Sequence, residues 1–518
     1  MENKTLVKRA GKTAFGTTLS RILGYVRDML VANLFGTGMF ADAFYAAFRI
    51  PNLFRRMFGE GSFSTAFIPV LSEYLHKKEK SEVQNFLSTV FTILLLILAA
   101  ISVLGMFFSP LLVKIVAGGF SNDPEKMQLT IELARLMFPF ILFMCLAAFL
   151  LAVLNTLHSF FLPAFAPSLL SFSEIFYMLA IAPVIVPGNQ IKGLAVSVII
   201  GGALHFFIQY PKLKSLGWHL KFKFDLKHPG VRKVFFLMIP SIIGLSVDQI
   251  NALVDSRCAS SLGQGPVSAL YYSNRLMQMP LAIFGLALAS VSLPAMSKAF
   301  AKKDMTTLKN SLNYSARLTV FTLLPAAVGL MVIGLPIVKL LFEHGKFSSS
   351  GSIMTNNALF YYSLGLPAYA LSKIFANAFY SFQDTKTPVR AAIAAMILHV
   401  ILCIALMYPM GVGGLALATA ASSYFNFILL AVYLKKRIGK LGIKQISFSS
   451  LKSLIAAVVA GIIAWNVCKI SENLFVSVPT AIILGLIAFV AVSYILKSEE
   501  LKTFTRISSR DIKLGDYK

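Results

Sequence analysis

The chain has 518 residues, of which 57% are hydrophobic and only 14% charged, with a formal net charge of +26 and a mean hydropathy of +0.74. That balance excludes a soluble globular domain and places the protein in a membrane. The cysteines at 145, 258, 403 and 468 each stand alone in an apolar run with no CxxC pair. They fit small buried hydrophobes rather than a disulfide or metal role.

Apolar runs of about 20 residues or more predict membrane spans. They fall near 13–36, 40–74, 86–112, 130–156, 161–186, 191–211, 233–259, 268–298, 311–342, 354–382, 388–409, 413–434, 452–470 and 475–497, which makes fourteen. The first follows Lys4, Lys8, Arg9 and Lys12, yet it does not read as a secretory signal: it is long, contains Arg21 and Arg27, and lacks a small-residue cleavage site. The second is too long for one straight span. With the amino terminus inside, thirty-two Lys and Arg lie in inside segments and seven in outside loops. Both termini are therefore expected in the cytoplasm. The basic excess reads as a topology signal with attraction to anionic lipid, not as a nucleic-acid surface.

Ala32–Phe48 returns weakly as Ala259–Arg275 at an offset of 227 residues, aligning Gly36 with Gly263, Gly38 with Gly265 and Asp28 with Asp255. Pro139 and Pro367, and the segments ending in Pro163 and Pro388, match at nearly the same spacing. Six helices separate the copies, an even number, so the repeats are expected to run parallel. The predicted fold is an all-α integral membrane protein of about fourteen transmembrane helices. An N-terminal lobe (1–211, helices 1–6), a cytoplasmic linker (212–232) and a C-terminal lobe (233–434, helices 7–12) are followed by helices 13 and 14 (451–497) and a cytoplasmic tail (498–518).

Arg21, Arg27, Asp28, Asp42, Arg49, Arg55, Arg56 and Glu60 lie within or beside the first two spans. An ionised side chain at bilayer depth costs at least about 2.5–3.5 kcal/mol on insertion scales, so such groups face a bundle interior or a cavity. On a straight helix Arg21, Gly24, Arg27 and Asp28 share one arc. Asp42, Arg49, Arg56 and Glu60 share another, with Arg55 pointing elsewhere, although Pro51 and the Gly59–Gly61 pair threaten that projection. Asp248, Asn251 and Asp255 share a face in the seventh span, and Arg275 lies in the eighth. Arginine outnumbers acid in these spans, which points to an anionic ligand such as a phosphate.

SRILGYVRD (Ser20–Asp28), ADAFYAAFRIPNLFRRMFGEGSFSTAFIPV (Ala41–Val70), NRLMQMP (Asn274–Pro280) and FQDTKTP (Phe382–Pro388) resemble the MurJ (MviN) family of lipid II flippases. The resemblance runs through most of the chain. It implies fourteen helices in two lobes, within the superfamily of multidrug and polysaccharide-lipid exporters. It also implies transport, without catalysis, of the undecaprenyl-pyrophosphate-linked peptidoglycan precursor from the cytoplasmic to the periplasmic leaflet of the bacterial inner membrane, by alternating access through a cationic cavity. By position it assigns substrate binding to Arg21, Arg27, Arg55, Arg56 and Arg275, with Asp28, Asp42, Glu60 and Asp255 as supporting acids. Where family members often carry an acid before the last arginine, this chain has Asn274.

No GxxxxGK[ST] loop occurs, so no ATP hydrolysis is expected and no cofactor is implied. Membrane potential, protons or sodium remain as energy sources, with Asp255 near Asn377 or Asp384 a candidate cation group and His205 and His399 candidate proton carriers. Expected partners are lipid II, membrane lipids and other cell-wall synthesis proteins. A related exporter of another lipid-linked glycan or of drugs is the competing reading. A prenyl-phosphate enzyme would need a DDxxD-type cluster, which the chain lacks.

Overall fold

The computed structural model describes residues 2–501, with side chains for all of these except 2–14, 58–61, 240–241 and 243–245. Twenty-two α-helices follow one another, and among the described residues there is no strand. The first span is α1 (Glu2–Phe35). The second runs from α2 (Met39–Phe54) through a π-helix, Arg55–Ser62, into α3 (Phe63–Lys77). Then come α4 (Lys80–Phe107), the short α5 (Ser109–Ala117), and α6 (Pro124–Met137) with α7 (Phe140–Thr156). The fifth span is α8 (Phe161–Phe165) and α9 (Ser168–Phe176), ending in a π turn at Tyr177–Ile181. The sixth is α10 (Gln190–Phe207), followed by α11 (Tyr210–Ser215).

Next are α12 (Pro229–Ser260) and α13 (Pro266–Pro280), the latter joined through a π-helix, Leu281–Leu286, to α14 (Ala287–Ala301). They are followed by α15 (Met305–Val332), the short α16 (Gly334–Phe342), α17 (Ser349–Leu364) and α18 (Leu366–Ser381). The chain closes with α19 (Lys386–Met410), α20 (Val412–Ile438), α21 (Ile443–Ile470) and α22 (Leu474–Ile495). Among the described residues nine helices are long and apolar enough to cross a membrane. The other five expected spans are those carrying charge, π turns or proline breaks, and the order gives fourteen in all.

Local chemistry sets the boundaries. Asp123 accepts the Lys126 amide at 3.1 Å with Pro124 in the first turn of α6, and Asp304 accepts the Thr307 amide at 2.9 Å at the start of α15. Both are ordinary N-caps. The second apolar run is one helical rod from 39 to 77, widened rather than broken where Gly59 and Gly61 fall. A π-helix leaves one more residue per turn, so the straight-helix projection that grouped Asp42 with Arg56 does not hold beyond Phe54. The ninth run, expected as one segment over 311–342, divides at Ile333 into α15 and α16.

The internal repeat is visible in the element order. A short helix follows the third span (α5) and the ninth (α16), and π-helices begin at Arg55 and Leu281, close to the 227-residue offset. Gly36 and Gly263 both adopt left-handed φ, +63° and +97°. A side chain at Gly36 would also meet the Lys346 carbonyl, whereas Gly263 faces open space.

The chain forms two compact units, Met1–Ser268 with Gly345–Phe347, and Ala269–His344 with Ser348–Lys518. Residues 233–260, assigned from sequence to the second lobe, pack in the first unit. Lys233 Nζ meets Glu73 at 2.6 Å, Arg49 Nη1 donates to the Ala252 carbonyl at 2.5 Å, and the Gly119 amide donates to Ser260 Oγ at 3.0 Å. Polar contacts near the two ends of α12 thus tie it to the elements before it.

In the second unit, α21 and α22 pack on α15 through Ala456, Ala457, Ala460, Phe321 and Phe489. Small residues allow this close approach where lipid supplies no hydrophobic drive. The start of α21 and the end of α22 are locked by Arg317, which reaches Glu500 at 2.5 Å and Glu499 at 2.6 Å. Ser449 and Ser498 donate to the buried Glu500 carboxylate at 2.8 and 2.7 Å.

Candidate functional site

On α1, Arg27 and Asp28 are adjacent, with Nε and Nη2 of Arg27 on Asp28 Oδ1 at 2.9 and 2.7 Å. Asp28 is buried and Arg27 keeps 13% of its side chain exposed. Arg27 Nη1 also lies 3.5 Å from Glu174 Oε1 on α9, and Glu174 is fully inside the first unit. Two carboxylates therefore fix one guanidinium, whose side chain stays partly exposed. Arg21, two turns earlier, is exposed, and among the described residues it has no ion-pair partner. Gly24 between them is buried.

The second span carries Arg49, Arg55 and Arg56. Arg49 is held by the Ala252 carbonyl and joins α2 to α12. Arg55 opens the π-helix and donates through Nε to Asn52 Oδ1 at 2.8 Å, while Arg56 is exposed. Ser62 Oγ donates to the Met57 carbonyl at 2.6 Å, satisfying a group that the widened turn displaces. The Glu60 side chain lies outside the described residues. In the second unit Arg275 and Asn274 are half-buried on α13, and Gln278 Nε2 donates to Asn274 Oδ1. Asp255, on α12 of the first unit, is half-buried.

Asp42 does not orient an arginine. It is completely buried and pairs with Lys126 Nζ at 2.8 Å. The same carboxylate accepts the amides of Gly265 and Ser268 at 2.7 and 2.8 Å and the Ser268 hydroxyl at 2.7 Å. Lys126 completes its own shell with the Gly263 carbonyl at 3.3 Å and the Phe120 ring at 4.1 Å. Such saturation is what a buried ion pair requires. Sequence reading placed Lys126 in an outer loop, but the Asp123 cap starts α6 just before it and turns the ammonium inward.

Lys126 and Glu174 are the residues that sequence reasoning missed. Lys126 removes Asp42 from the acids that balance the arginines, and Glu174 takes a place beside Arg27. The signal for Glu174 was available as a lone acid inside the fifth apolar run.

Of the candidate cation and proton groups, Asn377 and Asp384 hold other partners. Asn377 Nδ2 donates to the Ala289 carbonyl at 2.7 Å and to Ser292 Oγ at 3.2 Å. His205 and His399 are buried, and His399 packs with its Nε2 3.4 Å from Cys403 Sγ. Asp384 belongs to the loop before α19, accepting the Thr387 amide and hydroxyl at 3.0 and 2.8 Å and Arg437 Nη1 at 2.6 Å. Burial raises the Asp384 carboxyl, but these donors outweigh it and hold the group below its ordinary value.

A depressed folded-state value stabilises the protein above the unfolded value of about 3.9, and that contribution disappears as pH falls through the folded value. Asp384→Asn should therefore lower thermal stability at pH 7, with the gap from the parent closing below about pH 4. Equal melting temperatures at pH 7 would refute this.

Repeated helical halves with arginines set among apolar spans are the features of a multi-pass membrane transporter. Its fold is shared with an inward-facing multidrug resistance MATE family transporter of the MOP superfamily, at a TM-score of 0.68 and 13% identity over 82% of this chain and 95% of that one. The chain belongs to the MurJ lipid II flippase family, whose model, described as lipid II flippase MurJ, matches residues 31–485. It is 37% identical to the lipid II flippase MurJ of Burkholderia cenocepacia, covering 87% of this chain and 88% of that protein. It is 36% identical to a probable lipid II flippase MurJ of Buchnera aphidicola, covering 83% and 84%. A solved lipid II flippase MurJ in an inward closed conformation superposes at a TM-score of 0.81 with 29% identity, covering 93% of this chain and 98% of that one.

Proposed function

We propose that this protein flips lipid II from the cytoplasmic to the periplasmic leaflet of the bacterial inner membrane, as a transporter and not an enzyme, with both termini in the cytoplasm. The observation that carries this is the cationic set of the first unit: Arg21 and Arg56 exposed, and Arg27 fixed by Asp28 and Glu174 while its side chain stays partly exposed. A pyrophosphate offers several oxygens in the planar, paired geometry that guanidinium recognises. Arg21 and Arg27 hold that group, and Arg55 and Arg56 guide it. Asp28 and Glu174 position Arg27, while Asp42 supports the fold through Lys126. Arg275 of the second unit is a further proposed binding residue, with Asp255 in a supporting role.

Alternating exposure of the bound head group to the two leaflets completes transport while the prenyl tail stays in lipid. The membrane potential, or a sodium or proton gradient, supplies direction. Other cell-wall synthesis proteins are its proposed neighbours.

The decisive experiment places purified protein in sealed vesicles with fluorescent lipid II and follows the label's accessibility to an external quencher, with and without an imposed potential. Protein-dependent redistribution is expected. A rate equal to that of protein-free vesicles would overturn the proposal.

A further inference from the structure

Between α11 and α12 the chain leaves the helical pattern. Residues 219–223 lie as an extended strap along α4. The His219 amide donates to Gln84 Oε1 at 3.0 Å, and Gln84 Nε2 returns a bond to the His219 carbonyl. The Lys221 amide donates to Ser88 Oγ at 3.3 Å and the Lys223 amide to Thr92 Oγ1 at 2.9 Å. Two strap residues thus match four helix residues at each step. An extended chain advances about 6.6 Å in two residues and an α-helix about 6 Å in four, so the two run in register. Gln84, Ser88 and Thr92 are spaced to dock a backbone.

The register leaves an amphipathic surface. Phe222, Phe224 and Leu226 are 71%, 58% and 56% exposed and alternate with exposed Lys221, Lys223 and Lys227. Asp225 is the only acid among residues 212–233, against seven Lys and Arg. The depth of this surface follows from α4. Counting about 20 residues of hydrocarbon back from Phe107 reaches Ser88. The exposed apolar face of α4 begins one turn beyond the strap, at Leu96 and Ile97. The strap therefore crosses the boundary between head groups and acyl chains. Aromatic rings at that depth enter lipid while lysines extend to the phosphate layer.

We infer that the 219–227 strap is a binding site for anionic phospholipid head groups of the cytoplasmic leaflet, with Lys221, Lys223 and Lys227 on the phosphate and Phe222 and Phe224 among the acyl chains. The occupant is a bulk anionic lipid because the site is open, lies at the bilayer edge, and carries flexible lysines without arginine forks. It uses the inside orientation proposed above but none of the transport residues.

The test uses the full chain with Trp218→Phe and Trp465→Phe, which removes both native tryptophans, and Phe224→Trp as reporter. It is reconstituted in nanodiscs containing brominated phosphatidylglycerol or brominated phosphatidylcholine. Each lysine near an anionic surface is worth about fivefold in local preference. Quenching should therefore be about threefold or more stronger with brominated phosphatidylglycerol, and Lys221→Gln with Lys223→Gln and Lys227→Gln should bring the two lipids to parity. As a second measurement with both native tryptophans intact, native mass spectrometry should show retained phosphatidylglycerol reduced by the three lysine substitutions alone. Equal quenching by both lipids, absence of quenching by either, or unchanged retention would each overturn the inference.

Discussion

Arg27→Ala should lower the rate of lipid II translocation in reconstituted vesicles by about 100-fold, while insertion into the membrane is retained. The estimate assumes two lost charge-assisted hydrogen bonds at about 1.5 kcal/mol each, and a decade of rate per about 1.4 kcal/mol. Arg27→Lys should recover only part of the loss, because an ammonium keeps the charge but not the fork that Asp28 and Glu174 orient. Glu174→Gln separates positioning from charge balance. It leaves Arg27 cationic and should weaken substrate affinity less than Arg27→Ala does. Normal flipping by Arg27→Ala would remove this residue from the binding site.

The largest stability effect is expected at Asp42. Removing it leaves the Lys126 ammonium buried with its ion-pair partner gone, and two amides and a hydroxyl lose their acceptor. Breaking a buried pair costs about 3–5 kcal/mol, so Asp42→Ala should unfold well below the parent in detergent or fail to accumulate. Lys126→Met should be similarly costly, because Asp42 then becomes the uncompensated charge. The double variant Asp42→Ala with Lys126→Met should be more stable than the two single losses predict. Additive losses in that cycle would show that the pair acts as two independent residues.

The distinction between these residues marks the limit of what could be read from the chain. Span positions were legible because about 20 apolar residues in succession have few other uses. The element order, including the short helix after the third and ninth spans, agrees with the 227-residue repeat. The roles of the acids were not legible. Asp42 and its partner lie 84 residues apart, and Arg27 and Glu174 lie 147 apart. No helical projection relates residues on different helices. The π-helix at Arg55–Ser62 also shifted the face on which Arg56 lies, and a projection at 100° per residue cannot anticipate an extra residue. The 233–260 segment was assigned to the later lobe by counting helices in sixes, whereas its hydrogen bonds tie it to the earlier one.

The widened turns also bear on ancestry. The π segments Arg55–Ser62 and Leu281–Leu286 fall at nearly the repeat offset, while the third, at Tyr177–Ile181, has no counterpart because α19 is regular there. A π turn commonly arises when one residue is inserted into an α-helix. Matching insertions in both halves require two coincident events, or one event inherited twice. The simpler history is a half-length ancestor that already carried the insertion in its second helix before its gene was duplicated and fused. The unmatched turn after α9 then dates from after that fusion, when the two halves had begun to diverge.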